Sequence, residues 1–161
     1  MLTLRVPEVA QALEVASPSG ADAVEIRGVS TDSRSMAPGQ LFFALSGPSF
    51  DAHAFLAQAR VGGAAAAVVA HTMPDALPQI VVPDPRAALG VLARAWRERF
   101  TVPVIAVTGS NGKTTVKEMM ASCFAAHAGE PGAVLATPGN LNNDIGLPLA
   151  EIRSICPSTW V

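Results

Sequence analysis

The fold is decided by one stretch of the chain, Thr108-Gly109-Ser110-Asn111-Gly112-Lys113-Thr114-Thr115. Residues 102–107, which precede it, are apolar and mostly β-branched, and this pattern predicts a buried parallel strand. The residues that follow it carry apolar side chains at the spacing of a helix face, at Val116, Met119, Met120, Cys123 and Phe124. A strand, a glycine-rich turn and a helix in this order are the context in which a phosphate-binding loop occurs.

The residue types in this stretch suit the binding of a phosphate group. Glycines let the backbone curl so that several N–H groups point at one anion, and the helix N-terminus adds a partial positive charge. Lys113 would place a full charge against the terminal phosphates, and the Thr114 hydroxyl would ligate Mg²⁺. We therefore predict a nucleotide site formed by Gly109, Ser110, Asn111, Gly112, Lys113, Thr114 and Thr115.

The loop is shorter than the general phosphate-loop pattern, G-x-x-x-x-G-K-[ST]. That pattern places a glycine five residues before Gly112, where this chain has Val107. The shorter form argues against a small GTPase or a kinase and favours a narrower group of ATP users. The alternative is a plain glycine turn with a solvated Lys113, and a Gly-Lys-Thr-Thr run in this context argues against it.

The composition of the 161 residues excludes several classes of function. Half of the residues are apolar and 15% are charged, which is typical of a folded domain. The net charge of −2 gives no reason to expect nucleic acid or a membrane surface as a partner. Residues 1–16 lack the pattern of a secretory signal, and the longest apolar run, residues 64–70, is too short for a bilayer. We therefore expect a cytoplasmic protein without membrane insertion.

The cysteines and histidines do not predict a disulfide framework or a metal site. Cys123 lies on the apolar face of the helix after the loop, where we expect a buried thiol. No histidine is predicted to be catalytic, and the three are His53, His71 and His127.

Residues 1–83 predict a small α/β unit in which strands alternate with helices. The first helix is indicated by the spacing of Val6, Val9, Ala10 and Leu13, and the strands by residues 24–26, 41–45, 64–70 and 80–82. A further helix is predicted over residues 51–59, with Asp51 as its N-cap and Phe55 facing inward. Pro83-Asp84-Pro85 is a stiff segment that predicts a domain boundary.

Residues 84–161 predict the first part of a second unit, a parallel-sheet ATP-binding domain. A helix over residues 86–100, with Asp84 as its cap, leads into the strand before the phosphate loop. Gly129 ends the helix after the loop, and residues 134–137 predict the next parallel strand. The fold class is therefore α/β, with domains at 1–83 and 84–161.

Two polar segments are candidates for ligand contact. The first contains Thr31, Asp32, Ser33 and Arg34, and either Arg34 grips a phosphate with its planar fork or Asp32 and Arg34 form a plain surface pair. The second follows residue 137 and contains Asn140, Asn142, Asn143 and Asp144, more polar groups than a turn requires. Ligands of open α/β sheets gather beyond the carboxyl ends of strands, so substrate or metal-shell contact is favoured over a plain turn.

Four segments of the chain resemble the Mur ligase family of peptidoglycan synthesis. They are residues 30–45, from Ser-Thr-Asp-Ser-Arg to Leu-Phe-Phe-Ala-Leu; residues 50–55, Phe-Asp-Ala-His-Ala-Phe; residues 107–118, which contain the phosphate loop; and residues 137–149, Thr-Pro-Gly-Asn-Leu-Asn-Asn-Asp-Ile-Gly-Leu-Pro-Leu. Folylpolyglutamate synthase shares the loop loosely but not the fourth segment. That segment resembles the family members that add D-alanyl-D-alanine.

The resemblance implies an ATP- and Mg²⁺-dependent peptide ligase that acts as a monomer. The first domain would bind UDP-N-acetylmuramoyl-tripeptide through Thr31, Asp32, Ser33 and Arg34, with Asn140, Asn142 and Asn143 also at the substrate. Lys113 would be catalytic and Thr114 would hold the metal. The tripeptide carboxylate would become an acyl phosphate, which the amine of D-alanyl-D-alanine would attack to form an amide.

Residues 154–161 do not match the way the family continues, and they predict a fragment, a frame change or a truncated gene. The acidic metal ligand and the third domain of the family would lie beyond them. The resemblance therefore also allows a non-catalytic chain that only binds nucleotide or UDP-precursor, and we expect the 161 residues alone to lack ligase activity.

Overall fold

The computed structural model describes residues 2–129, 134–137 and 143–154. The strands are β1 (Leu4–Arg5), β2 (Glu25–Ile26), β3 (Val29–Ser30), β4 (Leu41–Phe43), β5 (Ser46–Gly47), β6 (Phe50–Asp51), β7 (Ala66–Val69) and β8 (Gln79–Val81). The helices are α1 (Val6–Ala12), α2 (Leu56–Val61), α3 (Pro85–Arg97), α4 (Lys113–Ala128) and α5 (Gly146–Ser154). Short 3₁₀ helices cover Ser33–Ser35 and Ala52–Phe55.

The centre of the fold is a four-stranded parallel sheet in the order β3-β4-β7-β8. Its register pairs Val29 with Leu41, Phe42 with Ala67 and Val68 with Ile80. All residues of β4 and β7 are buried, as expected for parallel strands that are covered on both faces. The predicted α/β class and the predicted strands are confirmed: those at residues 24–26, 41–45 and 64–70 are shorter than predicted, and the one at residues 80–82 is shifted by one residue to Gln79–Val81.

Alternation along β4 divides the core between the two faces of the sheet. Leu41 and Phe43 join one cluster, to which the helices α1, α3 and α5 contribute Val6, Val9, Leu89, Leu92, Trp96 and Ile152. Phe42 points the other way and packs with Ala52, Leu56, Ala59 and Leu77 around α2. Helices therefore cover both faces of the sheet.

Asp84 begins α3, as predicted. Its carboxylate accepts hydrogen bonds from the backbone N–H groups of Arg86, at 2.8 Å, and Ala87, at 3.3 Å. Pro85 occupies the first turn, where its missing N–H has no intrahelical partner to lose. The helix ends at Arg97 rather than at the predicted residue 100.

We expect Asp84→Ala to lower the free energy of unfolding by about 1 kcal/mol, the usual cost of losing an N-cap. Asp84→Asn is the control, because its side-chain oxygen still accepts from the first turn. Urea denaturation of both variants and the parent chain measures the difference. An alanine variant as stable as the asparagine variant would show that the cap does not stabilise α3.

The strands predicted over residues 102–107 and 134–137 are absent from the structure, so these predictions are wrong. Both segments lack sheet pairing among the described residues, and Val104 and Ile105 are 63% and 53% exposed. An apolar, β-branched run becomes a strand only when a neighbouring backbone pairs with it. The local pattern could not show whether that neighbour exists.

Helix α4 is confirmed, but its predicted apolar face is not buried. Met119 is 64% exposed, Phe124 is 44% exposed, and the thiol of Cys123, expected to be buried, is exposed. A helix face is buried only where another element covers it. Here an open apolar groove runs beside the helix, lined by Val104, Ile105, Met120, Phe124, Leu135 and Leu147.

Candidate functional site

The predicted phosphate loop forms a tight turn that leads directly into α4. Gly109 and Gly112 have φ angles of +146° and +76°, which L side chains rarely adopt. Gly112 is the N-cap of the helix, and Lys113 is its first residue. The Lys113 Nζ donates to the carbonyl of Gly109 at 2.6 Å, so the ammonium group lies over the loop.

This arrangement is suited to an anion. The first N–H groups of α4 have no intrahelical acceptor, and the helix dipole places partial positive charge at the same point. Lys113 can exchange its bond to the Gly109 carbonyl for one to a phosphate oxygen at little cost, because that bond is exposed to solvent. Thr114 and Thr115 lie in the first turn of the helix, next to this position.

Residues 31–34 follow the carboxyl end of β3 and form a compact, exposed ion pair. Arg34 donates through Nε and Nη2 to the two carboxylate oxygens of Asp32, both at 2.9 Å. Asp32 also accepts from the backbone N–H of Arg34, at 3.0 Å, and thereby begins the 3₁₀ helix. Ser33 Oγ donates to Gln58 Oε1 at 3.0 Å, which ties the loop to α2. The surface pair that the sequence allowed is therefore present.

The side-chain hydrogen bonds from Arg34, and then its backbone N–H, lower the pKa of Asp32 to about 2. A lowered pKa means that the ionised carboxylate stabilises the fold. That contribution is complete above the unfolded-state value of about 3.9 and is lost as the pH falls through the folded-state value. Both side chains are exposed, so salt screens the effect.

We expect Arg34→Ala to raise the pKa of Asp32 towards the ordinary value for an aspartate. Carboxyl NMR titration between about pH 5 and pH 1.5 measures the midpoint directly. Arg27→Ala is the matched control, since Arg27 pairs with Glu25 instead. An unchanged Asp32 midpoint in Arg34→Ala would contradict the assigned cause.

A hairpin follows β4 at the edge of the sheet where the carboxyl ends of the parallel strands lie. Its two strands, β5 and β6, pair Ser46 with Asp51 and Gly47 with Phe50. Asp51 accepts hydrogen bonds from the backbone N–H of His53, from His53 Nδ1 and from Ser46 Oγ, and these lower its pKa to about 2. Asp51 is thus the predicted N-cap, although of a 3₁₀ helix rather than of an α-helix.

The inward residue of this segment is His53, whereas the sequence predicted Phe55. His53 is 2% exposed, while Phe55 is 39% exposed and stacks on Phe50 at 5.7 Å. The prediction assumed a continuous α-helix over residues 51–59, whereas residues 52–55 adopt the tighter 3₁₀ turn, which changes the side chain that faces inward. The spacing of Asp51 and His53 was the signal that could have indicated a polar anchor.

The parallel register places the loop at residues 31–34 and the hairpin at one edge of the sheet. Ser30 lies opposite Phe42, and Phe43 lies opposite Val68, so the segments that follow β3, β4 and β7 emerge side by side. The phosphate loop belongs to the part of the chain that follows α3. The two candidate sites are therefore formed by different segments.

The second polar segment is described only in part. Asn143 Oδ1 accepts from the backbone N–H of Gly146 at 2.6 Å, at the start of α5, and Asp144 lies 3.4 Å from Arg86. Asn140 and Asn142 lie outside the described residues. Lys117 of α4 donates to the carbonyl of Thr137, which keeps the start of this segment beside the helix.

No helix among the described residues combines the length and apolar character that a membrane span requires.

Comparison with known proteins identifies the class. Residues 25–97 match the model described as "Mur ligase family, catalytic domain", and residues 107–153 match "Mur ligase middle domain". The chain belongs to the Mur ligase family.

Within the family, the chain is similar to one type of ligase. It is 46% identical over 154 residues to UDP-N-acetylmuramoyl-tripeptide–D-alanyl-D-alanine ligase of Haemophilus influenzae, a match that covers 95% of this chain and 34% of that protein. A crystal structure of MurF from Acinetobacter baumannii superimposes with a TM-score of 0.86 at 36% identity, over 97% of this chain and 34% of that one.

A third relative has nucleotide bound. The MurF ligase of Thermotoga maritima in complex with ADP has a TM-score of 0.68 at 32% identity, over 78% of this chain and 29% of that one. The chain therefore spans about a third of the length of the relatives that it matches.

Proposed function

We propose that the chain is the precursor-binding and ATP-binding part of a ligase of peptidoglycan synthesis. The ligase would add D-alanyl-D-alanine to UDP-N-acetylmuramoyl-tripeptide with consumption of ATP. The observation that carries the proposal is the turn from Gly109 to Gly112, which places Lys113 at the N-terminus of α4. The relatives named for this reaction, and one that holds ADP, support it.

The reaction has two steps. The terminal carboxylate of the tripeptide takes the γ-phosphoryl group of ATP, which leaves ADP and an acyl phosphate. The amine of D-alanyl-D-alanine then attacks the acyl carbon, and phosphate departs as the amide forms and the amine loses a proton. Phosphoryl transfer depends mainly on positioning and charge neutralisation, which Lys113 and the N–H groups of Gly109–Lys113 would supply.

Mg²⁺ suits the same site, since nucleotide-bound Mg²⁺ usually has one or two protein oxygens and completes its shell with phosphate oxygens and water. Thr114 would provide such an oxygen from the first turn of α4. When bound, the ion would neutralise charge on the phosphates.

The precursor would bind to residues 1–83, and the ATP-binding domain would begin at residue 84. Thr31, Asp32, Ser33 and Arg34 would contact the UDP group, because Arg34 is exposed and its fork fits a phosphate. To do so it must leave Asp32, a surface pair of low energy. Asn140, Asn142 and Asn143 would contact substrate from the second domain. The ligase would act as a cytoplasmic monomer without nucleic acid or membrane.

Calorimetric titration of the 161-residue chain with UDP-N-acetylmuramoyl-tripeptide tests the proposal. We expect saturable binding that UDP displaces, and we expect Arg34→Ala to weaken it about tenfold through loss of a charge-assisted hydrogen bond. Arg27→Ala, the matched control, should bind like the parent. Absence of binding, or binding that UDP does not displace, would contradict the proposal.

A second candidate is that the 161 residues on their own bind nucleotide or UDP-precursor without catalysis. ADP release would be measured with the purified chain, ATP, Mg²⁺, UDP-N-acetylmuramoyl-tripeptide and D-alanyl-D-alanine. The second candidate predicts binding without ADP release. ADP release that requires both UDP-N-acetylmuramoyl-tripeptide and D-alanyl-D-alanine would contradict it.

A further inference from the structure

His53 is buried at the edge of the sheet where the precursor is proposed to bind. We infer that it is a positioning residue: its imidazole fixes the hairpin of β5 and β6 to the end of β7, and the hairpin in turn forms one wall of the precursor site. The inference rests on the proposed function. It concerns a residue that the precursor need not touch.

Both ring nitrogens of His53 are engaged. Nε2 accepts the backbone N–H of Ala70 at 2.8 Å, and Nδ1 lies 2.6 Å from Asp51 Oδ1. The N–H of Ala70 can only donate, so Nε2 carries no hydrogen and the proton resides on Nδ1, which donates to Asp51. This tautomer is assigned from the partners. The ring thus connects β6 to the residue that follows β7.

The hairpin needs such an anchor because it is small and exposed. Each of its strands has two residues, and residues 46–51 are all exposed. A short two-stranded hairpin is marginal in water without packing or a further attachment. The attachments here are the bonds from His53 and Ser46 to Asp51, and the backbone bond from Ala52 N–H to Leu45 O at 3.0 Å.

His53 is fixed from both sides, which fits positioning and not proton transfer. It is 2% exposed, and the ring of His71 stacks on it at 4.5 Å and 12°. With both nitrogens bonded and the ring covered, it has no free site for a substrate proton. The loop at residues 31–34 emerges beside β4, so displacement of the hairpin would change the width of the precursor site.

Two substitutions of His53 distinguish the hydrogen bond of Nδ1 to Asp51 from that of Nε2 to the N–H of Ala70. His53→Asn retains a donor near the position of Nδ1 but has no atom near Nε2, so the N–H of Ala70 loses its acceptor. His53→Gln places an amide oxygen near Nε2 and serves as the rescue. His127→Asn, on exposed α4, is the matched control.

Precursor affinity and amide hydrogen exchange are measured on the 161-residue chain. We expect His53→Asn to weaken binding of UDP-N-acetylmuramoyl-tripeptide about tenfold, the effect of one partly buried N–H left without an acceptor. Exchange at Ala70 and Ala52 should accelerate by at least as much, while the affinity for a non-hydrolysable ATP analogue should stay the same. His53→Gln should restore the precursor affinity and the exchange rates to within about threefold of those of the parent chain.

Other outcomes overturn the inference. Unchanged exchange at Ala70 in His53→Asn would show that the ring is not an anchor. Faster exchange with unchanged precursor affinity would leave His53 a merely structural role. The same would follow if His53→Asn weakened binding of the ATP analogue as much as binding of the precursor. Absence of precursor binding by the parent chain would contradict the proposed function and the inference together, whereas parent binding that His53→Asn leaves unchanged would contradict the inference alone.

Discussion

Lys113→Ala is expected to lower kcat by about 10²–10³-fold, the usual effect of removing one preorganised contact to transition-state charge. The measurement uses a chimera in which this chain replaces the matching segment of the Haemophilus influenzae relative, since the match covers 95% of this chain. Lys113 is the first residue of α4, and its Nζ already lies over the loop, 2.6 Å from the Gly109 carbonyl. Under the proposed function, the negative charge of the transferred phosphate would develop beside this ammonium group.

Lys117→Ala is the matched control for this prediction. Lys117 lies one turn further along α4 and bonds to the Thr137 carbonyl and to Glu118, so its loss should affect stability more than turnover. Circular dichroism of both variants would verify that the helix persists. A Lys113→Ala chimera whose kcat stays within threefold of the parent value would exclude Lys113 from the transfer step.

Phe43→Ala is expected to lower the free energy of unfolding by about 3–5 kcal/mol, as for other fully buried phenylalanines. Phe43 is 0% exposed in the central strand β4, between β3 and β7, and belongs to the cluster that joins the sheet to α1 and α3. A domain of this size has a total stability of about 5–15 kcal/mol, so much of it would be lost.

Phe50→Ala is the control for Phe43→Ala, because Phe50 is 56% exposed and stacks on Phe55, which is also exposed. Its expected cost is below about 1 kcal/mol. Urea denaturation followed by far-UV circular dichroism compares the two variants. Equal losses of stability would contradict the assignment of Phe43 to the core.

The elements predicted best are those whose signals are local. Asp84 and Asp51 begin helical turns as predicted, because an aspartate that precedes a turn bonds to N–H groups only two or three residues away. The buried strand at Leu41–Phe43 was also clear, because an unbroken apolar run suits a strand that is covered on both faces.

The elements that failed depend on distant partners or are too short to show a period. Residues 102–107 have the composition of a strand, yet no strand among the described residues pairs with them. Cys123 was expected to be buried because α4 has an apolar face, but burial requires a covering element. The strands β1 and β3 have two residues each, too few for alternation to be recognised.

The candidate site was predicted in part. The phosphate loop follows from glycine and lysine positions close together in sequence, and the structure shows the turn. The geometry of Asp32 and Arg34 was left open, and it is a bidentate pair. His53 was overlooked because its partner, the N–H of Ala70, comes from a strand whose position depends on the sheet register. Ligand contact by these residues remains a prediction.

The most direct test of the central claim is product formation by the unmodified chimera. The chimera would be incubated with ATP, Mg²⁺, UDP-N-acetylmuramoyl-tripeptide and D-alanyl-D-alanine. Mass spectrometry would measure the pentapeptide product and ADP, and a phosphate assay would measure the phosphate released. The account predicts one ADP and one phosphate for every UDP-N-acetylmuramoyl-pentapeptide formed, with no release when either substrate is omitted. A folded chimera that forms no pentapeptide, under conditions in which the Haemophilus influenzae parent does, would contradict it.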